Sequence, residues 1–95
     1  MEIREFQKLI KDLYQEWDEK RGVDHSYMWL VEEVGELSEA IRKKDRESIK
    51  EELADVVAWS ATIANLLDMD LEELLKKKYP GKCTYCDSNP CACAR

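Results

Sequence analysis

The chain has little that interrupts a helix. It holds three glycines and two prolines in 95 residues, and both prolines fall beyond position 79. That composition favours long helices over sheets, whose many turns consume those residues. No apolar run approaches the ~20 residues that span a bilayer. The opening residues, Met1-Glu2-Ile3-Arg4-Glu5, lack the apolar stretch of a signal peptide, so a cytoplasmic protein is expected. No internal repeat is visible. A basic surplus is missing too: Lys plus Arg number 15 against 21 Asp plus Glu, a net charge of −6. That argues against a binder of nucleic-acid backbones, which needs a basic face.

What is present fits one small ordered domain. The hydrophobic fraction is 44%, too high for a disordered acidic tail. A chain this short buries a modest core, so oligomerisation or a metal is expected to support it.

Apolar residues recur at helical steps in four segments. Ile3, Phe6, Ile10, Leu13 and Trp17 mark the first, over residues 2–20. Arg21-Gly22-Val23-Asp24 reads as a break, with Asp24 or Ser26 to cap the next helix. Leu30, Val34, Leu37 and Ile41 form its stripe. Lys43-Lys44-Asp45 is a second break, and Asp45 a candidate N-cap. Ile49, Leu53, Val56, Ser60, Ile63 and Leu67 follow on a third helix. Asp70-Leu71-Glu72-Glu73 resembles a capping box for a short fourth. The expected fold is all-α: an antiparallel hairpin plus flanking helices, completing a four-helix bundle core through oligomerisation. Residues 1–79 read as the helical domain and 80–95 as a Cys-rich tail.

The second and third helices carry matched acidic pairs, Glu33 with Glu36 and Glu52 with Asp55. Members three apart share a helix face, and both pairs border the apolar stripes. Facing residues of an antiparallel hairpin have a constant sum. Glu33 opposite Asp55 gives 88, and so does Glu36 opposite Glu52; the midpoint, Lys44, falls in the turn placed independently. The same register sets Trp29 opposite Trp59. Four converging carboxylates repel one another and require a cation unless protonated. Hard oxygen ligands on helices suit Mg²⁺ or Mn²⁺, an ion suited in turn to phosphate chemistry. The plain alternative is a solvated acidic surface.

Glu33-Val34-Gly35-Glu36, 15 intervening residues, then Glu52-Leu53-Ala54-Asp55 resembles the ExxE…ExxD signature of the MazG-like nucleotide pyrophosphohydrolases. The flanking Leu30-Val31-Glu32 and Glu51 fit as well, and the likeness covers residues 24–67. The resemblance implies an all-α, oligomeric enzyme, a homodimer or homotetramer. It implies Mg²⁺-dependent hydrolysis of nucleoside triphosphates to monophosphate and pyrophosphate, as in nucleotide-pool housecleaning. It further implies Glu33, Glu36, Glu52 and Asp55 as metal ligands and Glu32 as a residue that positions or deprotonates the attacking water. A phosphoribosyl-ATP or other nucleotide pyrophosphatase, or a non-catalytic helical oligomer, is the alternative.

Other residues have two readings each. Trp29 and Trp59 are a base platform or core packing. Lys76, Lys77 and Lys78, with Arg42, Lys43 and Lys44, could meet phosphates or complement helix dipoles. His25 is at the mouth of the site or on plain surface. Cys83, Cys86, Cys91 and Cys93 have the spacing C-x2-C-x4-C-x-C. They form a structural zinc site, two disulfides or a tail of thiols.

Overall fold

A computed structural model describes residues 1–94; Arg95, the end of the Cys-rich tail, lies outside them. Three helices run in order: α1 (Ile3–Lys43), α2 (Arg46–Leu66) and α3 (Leu71–Lys78). No strand occurs among the described residues, and no helix is long and apolar enough to cross a membrane.

The helix ends fall where side chains can satisfy them. Asp45 caps α2, accepting from the Ser48 N–H at 3.3 Å and its hydroxyl at 2.8 Å. Asp70 caps α3, accepting from the Glu72 and Glu73 N–H groups. Between α1 and α2, Lys44 takes a left-handed conformation at φ 57°. Its N–H and that of Asp45 return to the carbonyls of Ile41 and Ala40, closing the helix end as a glycine normally does.

One break is narrower than expected. The sequence suggests an interruption over residues 21–24, and the helix does break there, α1 being two helical arms joined across a kink at Gly22. Gly22 alone leaves helical geometry, at φ 80° and ψ 171°. This region is open essentially to glycine, and one such residue redirects the helix without unwinding its neighbours. Ser26, suggested as a cap, is instead wholly buried and accepts from Arg21 Nη1 at 3.5 Å.

The kink divides α1 into two arms that both pack on α2. The second arm runs antiparallel to α2, with Trp29 stacked on Trp59 at 6.3 Å between ring centroids and 13° between planes. The first arm is tied by polar contacts. Buried Gln7 donates from Nε2 to Asn65 Oδ1 and to the Met69 carbonyl, and accepts from the Leu71 N–H at 2.8 Å. Arg4 pairs with Asp70 at 2.9 Å and Glu72 at 3.1 Å. Further along, buried Asp18 joins Arg21 Nη1 at 2.7 Å and Thr62 Oγ1 at 3.1 Å. These ties enclose the C-terminal half of α2, where Ala61, Thr62 and Ala64 are buried.

The apolar stripes are only partly covered. Ile10, Ala40, Ala61 and Ala64 are the buried apolar residues. Leu13, Val34, Ile41 and Leu53 stay about half exposed, with Trp17 at 66%. Two helices meeting along one line cannot cover both flanks of each stripe.

Gly22→Ala should destabilise the protein by about 1–3 kcal/mol, the usual cost of forcing a side chain into such backbone geometry. A Cβ there would meet nothing within 4 Å, so the loss is conformational. Urea unfolding reads it directly; an unchanged midpoint would mean that the kink does not depend on glycine.

Candidate metal centre

The hairpin places acidic side chains from two helices against one another. Glu33 and Glu36 project from α1 and Glu52 from α2, and one carboxylate oxygen of each lies within 4.8 Å of the others. Glu33 and Glu52 are half-buried, Glu36 exposed. Oε2 of Glu33 and Oε2 of Glu52 are themselves buried and have no hydrogen-bond partner. Unpartnered buried carboxylate oxygens are costly. The Glu33 carboxyl is accordingly pushed up to about 8 from its ordinary 4.5. Contact with the Glu52 carboxyl is the main cause, followed by burial and the charges of Glu52, Glu36 and Asp55. Glu36 is raised as well, chiefly by the charge of Glu52.

Asp55 is exposed and stands beside the trio. Its charge reaches Glu33, and it lines a cleft of about 240 Å³ with Trp59, Arg21, Asp18, Tyr14 and Thr62. Arg21 crosses the Trp59 ring at 4.7 Å from its centroid. A second cleft, about 310 Å³, lies toward the turn and is lined by Glu36, Glu52, Lys43 and Asp45 among others. The acidic trio thus has a cleft on each side, and each cleft contains one cationic side chain. Lys43 is engaged by Glu39 at 2.8 Å; Arg21 is held by Asp18 and positioned over the indole.

The remaining candidates are more dispersed. Glu32 is exposed, and its charge acts on Glu36. His25 is exposed one turn before Trp29, with Nδ1 3.3 Å from the Arg21 carbonyl. Lys76, Lys77 and Lys78 are exposed on α3 and are not brought to the carboxylates. That helix starts beside Gln7 and Asn65, and Asn65 lies thirteen residues past Glu52 on α2, about 20 Å at the usual helical rise. Lys76 reaches Glu72 at 3.5 Å and Lys78 sits over Tyr79. Cys83, Cys86, Cys91 and Cys93 converge in the tail, their sulfurs within 4.8 Å of one another.

Arg21, Asp18 and Thr62 did not stand out in sequence. Their signals were weak but present: an acid and a base three apart on an otherwise apolar stripe, and a hydroxyl between Ala61 and Ile63.

The sequence profile of the MazG nucleotide pyrophosphohydrolase domain matches residues 22–86. The chain belongs to this family. The MazG domain is all-α, its activity is nucleotide pyrophosphohydrolysis, and the family is typically dependent on a divalent metal. A search among curated proteins returned no match.

The residues present fit such a metal. Three carboxylates converge, two of their oxygens are buried without a partner, and all are hard donors suited to Mg²⁺ or Mn²⁺.

The raised Glu33 carboxyl gives a pH dependence with a definite sign. Between its ordinary 4.5 and about 8, the folded chain holds a proton that the unfolded chain has released. Metal-free stability therefore falls as pH rises through that window. Thermal melts in EDTA should show a lower Tm at about pH 8 than at about pH 5, and Mg²⁺ should raise Tm more at the higher pH, where no proton competes. A Tm that climbs with pH, or an equal Mg²⁺ shift at both, would contradict the arrangement.

Proposed function

We propose that the protein hydrolyses nucleoside triphosphates, deoxy forms included, to the monophosphate and pyrophosphate. On this reading Glu33, Glu36, Glu52 and Asp55 hold Mg²⁺ or Mn²⁺. The observation that carries the reading is the convergence of Glu33, Glu36 and Glu52 with two buried, unpartnered oxygens. When bound, the cation would offset the carboxylates' repulsion and act as a Lewis acid toward phosphate oxygens.

The chain's own residues supply the rest. Glu32, exposed at the rim and acting on Glu36, orients or deprotonates the attacking water. Trp59 and Trp29 offer indole surface beside the cleft that holds Asp55, and a nucleobase stacks on such surface at about 1–3 kcal/mol. Arg21, bound to Asp18, presents a cation in that same cleft. His25 lies one turn away from Trp29. Lys76, Lys77 and Lys78 are better read as complementing the C-terminal end of α3.

Residues 1–79 would form the catalytic domain and 80–95 an appendage to it. The half-exposed stripes support a homodimer or homotetramer in which a second copy covers them, since apolar patches of this kind mark protein contacts. A cytoplasmic setting and a role in nucleotide-pool housecleaning follow from such a substrate.

A pyrophosphate-release assay over a panel of nucleotides with Mg²⁺ tests the proposal. Several triphosphates should be cleaved at the α–β linkage. Glu52→Gln should lower kcat/KM by more than the ~10–100-fold that losing an outer-shell partner costs a metal site, with the circular-dichroism spectrum unchanged. Cleavage of phosphoribosyl-ATP alone would reassign the substrate. Absence of release from every nucleotide would leave a non-catalytic helical oligomer.

A further inference from the structure

We propose that the C-terminal tail is a zinc-binding knuckle, with Cys83, Cys86, Cys91 and Cys93 as its four ligands. The site is separate from the acidic centre in both residues and chemistry.

The first observation is convergence. All four of the chain's cysteines fall in this one segment, and one sulfur of each lies within 4.8 Å of the rest. Cys83 Sγ and Cys93 Sγ stand 3.7 Å apart, close to the spacing of two thiolates on a tetrahedral zinc with Zn–S bonds near ~2.3 Å. Disulfides would instead draw the sulfurs into two pairs at about 2.05 Å. No two of the four sulfurs are joined in the structure.

The second observation is how the backbone addresses the sulfurs. The Tyr85 N–H donates to Cys83 Sγ at 3.4 Å, the Ala92 N–H to Cys86 Sγ at 3.3 Å and the Cys93 N–H to Cys91 Sγ at 3.4 Å. Thiols are weak acceptors; backbone donors aimed at three sulfurs suit thiolates, the form that binds metal. The loop is shaped to keep them there. The Cys83 N–H bonds the Ser88 carbonyl at 2.9 Å, the Asp87 N–H bonds the Cys83 carbonyl at 3.0 Å, and Asn89 Nδ2 bonds the Gly81 carbonyl at 2.9 Å.

The third observation is the lack of a buried core among the described residues of the tail. None of the described residues from 80 onward is buried, and Tyr85, the bulkiest side chain there, is 91% exposed. A segment with no apolar core keeps a defined shape through a cross-link or a metal. Sulfur-only ligation in tetrahedral geometry selects zinc over the hard cations suited to the carboxylates. Four protein ligands also fill the coordination sphere, which makes the site structural, not catalytic.

The test uses the full chain, purified reduced with zinc and Mg²⁺ present and then desalted. Elemental analysis should find one zinc per chain. Replacing zinc by Co²⁺ should give the sulfur-to-cobalt charge-transfer band and the visible bands of a tetrahedral thiolate site. Cys91→Ser and Cys83→Ser should each cut retained zinc at least about tenfold, the low end for losing even an outer-shell partner, without loss of helical signal. Three results would overturn the proposal: an intact mass short by four hydrogens with no zinc, which means two disulfides; iron in place of zinc; or unchanged zinc in Cys91→Ser. The cobalt spectrum of the unsubstituted chain decides the matter even if a variant does not fold. Pyrophosphate release takes no part in these readouts, so the two sites stand or fall separately.

Discussion

Like charges do not stay within a few ångströms of one another unless something stronger holds their backbones. Here that constraint is the register of the α1–α2 hairpin. The left-handed Lys44 sets where the chain reverses, and the Trp29–Trp59 stack fixes the pairing further along. Between those two points Glu33, Glu36 and Glu52 must face one another. Sliding the helices apart by a turn would relieve the repulsion, but it would also separate the indoles and unseat the buried ties of Gln7 and Asp18 to α2. The hairpin therefore stores electrostatic tension that a divalent cation can release.

Much of this is legible in the sequence. Lys43-Lys44-Asp45 marks the turn, and the constant sum of 88 centred on it pairs Trp29 with Trp59 and Glu36 with Glu52, because antiparallel helices obey simple arithmetic. Asp45 and Asp70 were readable as caps, because a short acidic side chain before an apolar run has few other uses. The Gly22 segment was harder. A glycine between Arg21 and Val23 looks the same whether the chain breaks for four residues or kinks at one. The pattern showed which faces are apolar but not how much of each one protomer can cover, so Val34 and Leu53 read as core and remain half exposed. Arg21 and Asp18 were hidden because their partners, Trp59 and Thr62, are about forty residues away in sequence, and no local pattern reports such a meeting. The lysines of α3 carried two readings in the sequence, phosphate or helix dipole, and chain length along α2 sets the start of their helix far from the carboxylates of the same protomer.

The two proposed metal sites draw on different chemistry within one chain. Carboxylate oxygens on rigid helices favour small hard cations; thiolates on a loop favour soft ones. The carboxylates lie on the elements that α1 and α2 bring together, and the sulfurs lie beyond the last helix. With both sites loaded as proposed, ligand softness, not affinity alone, would keep the two populations of ions apart.

Gly22 also sets the size of the molecule. A straight helix of 41 residues would measure about 60 Å, whereas the longest axis of the folded chain is 44 Å. On an unkinked rod the acidic pairs would still meet, since they lie wholly on the second arm and α2. The first arm would point into solvent, taking Tyr14, Asp18 and the ties of Gln7 with it. The cleft beside Asp55 would then lose one of its walls. A residue with no side chain thus separates a bare cluster of carboxylates from one with a walled cleft beside it.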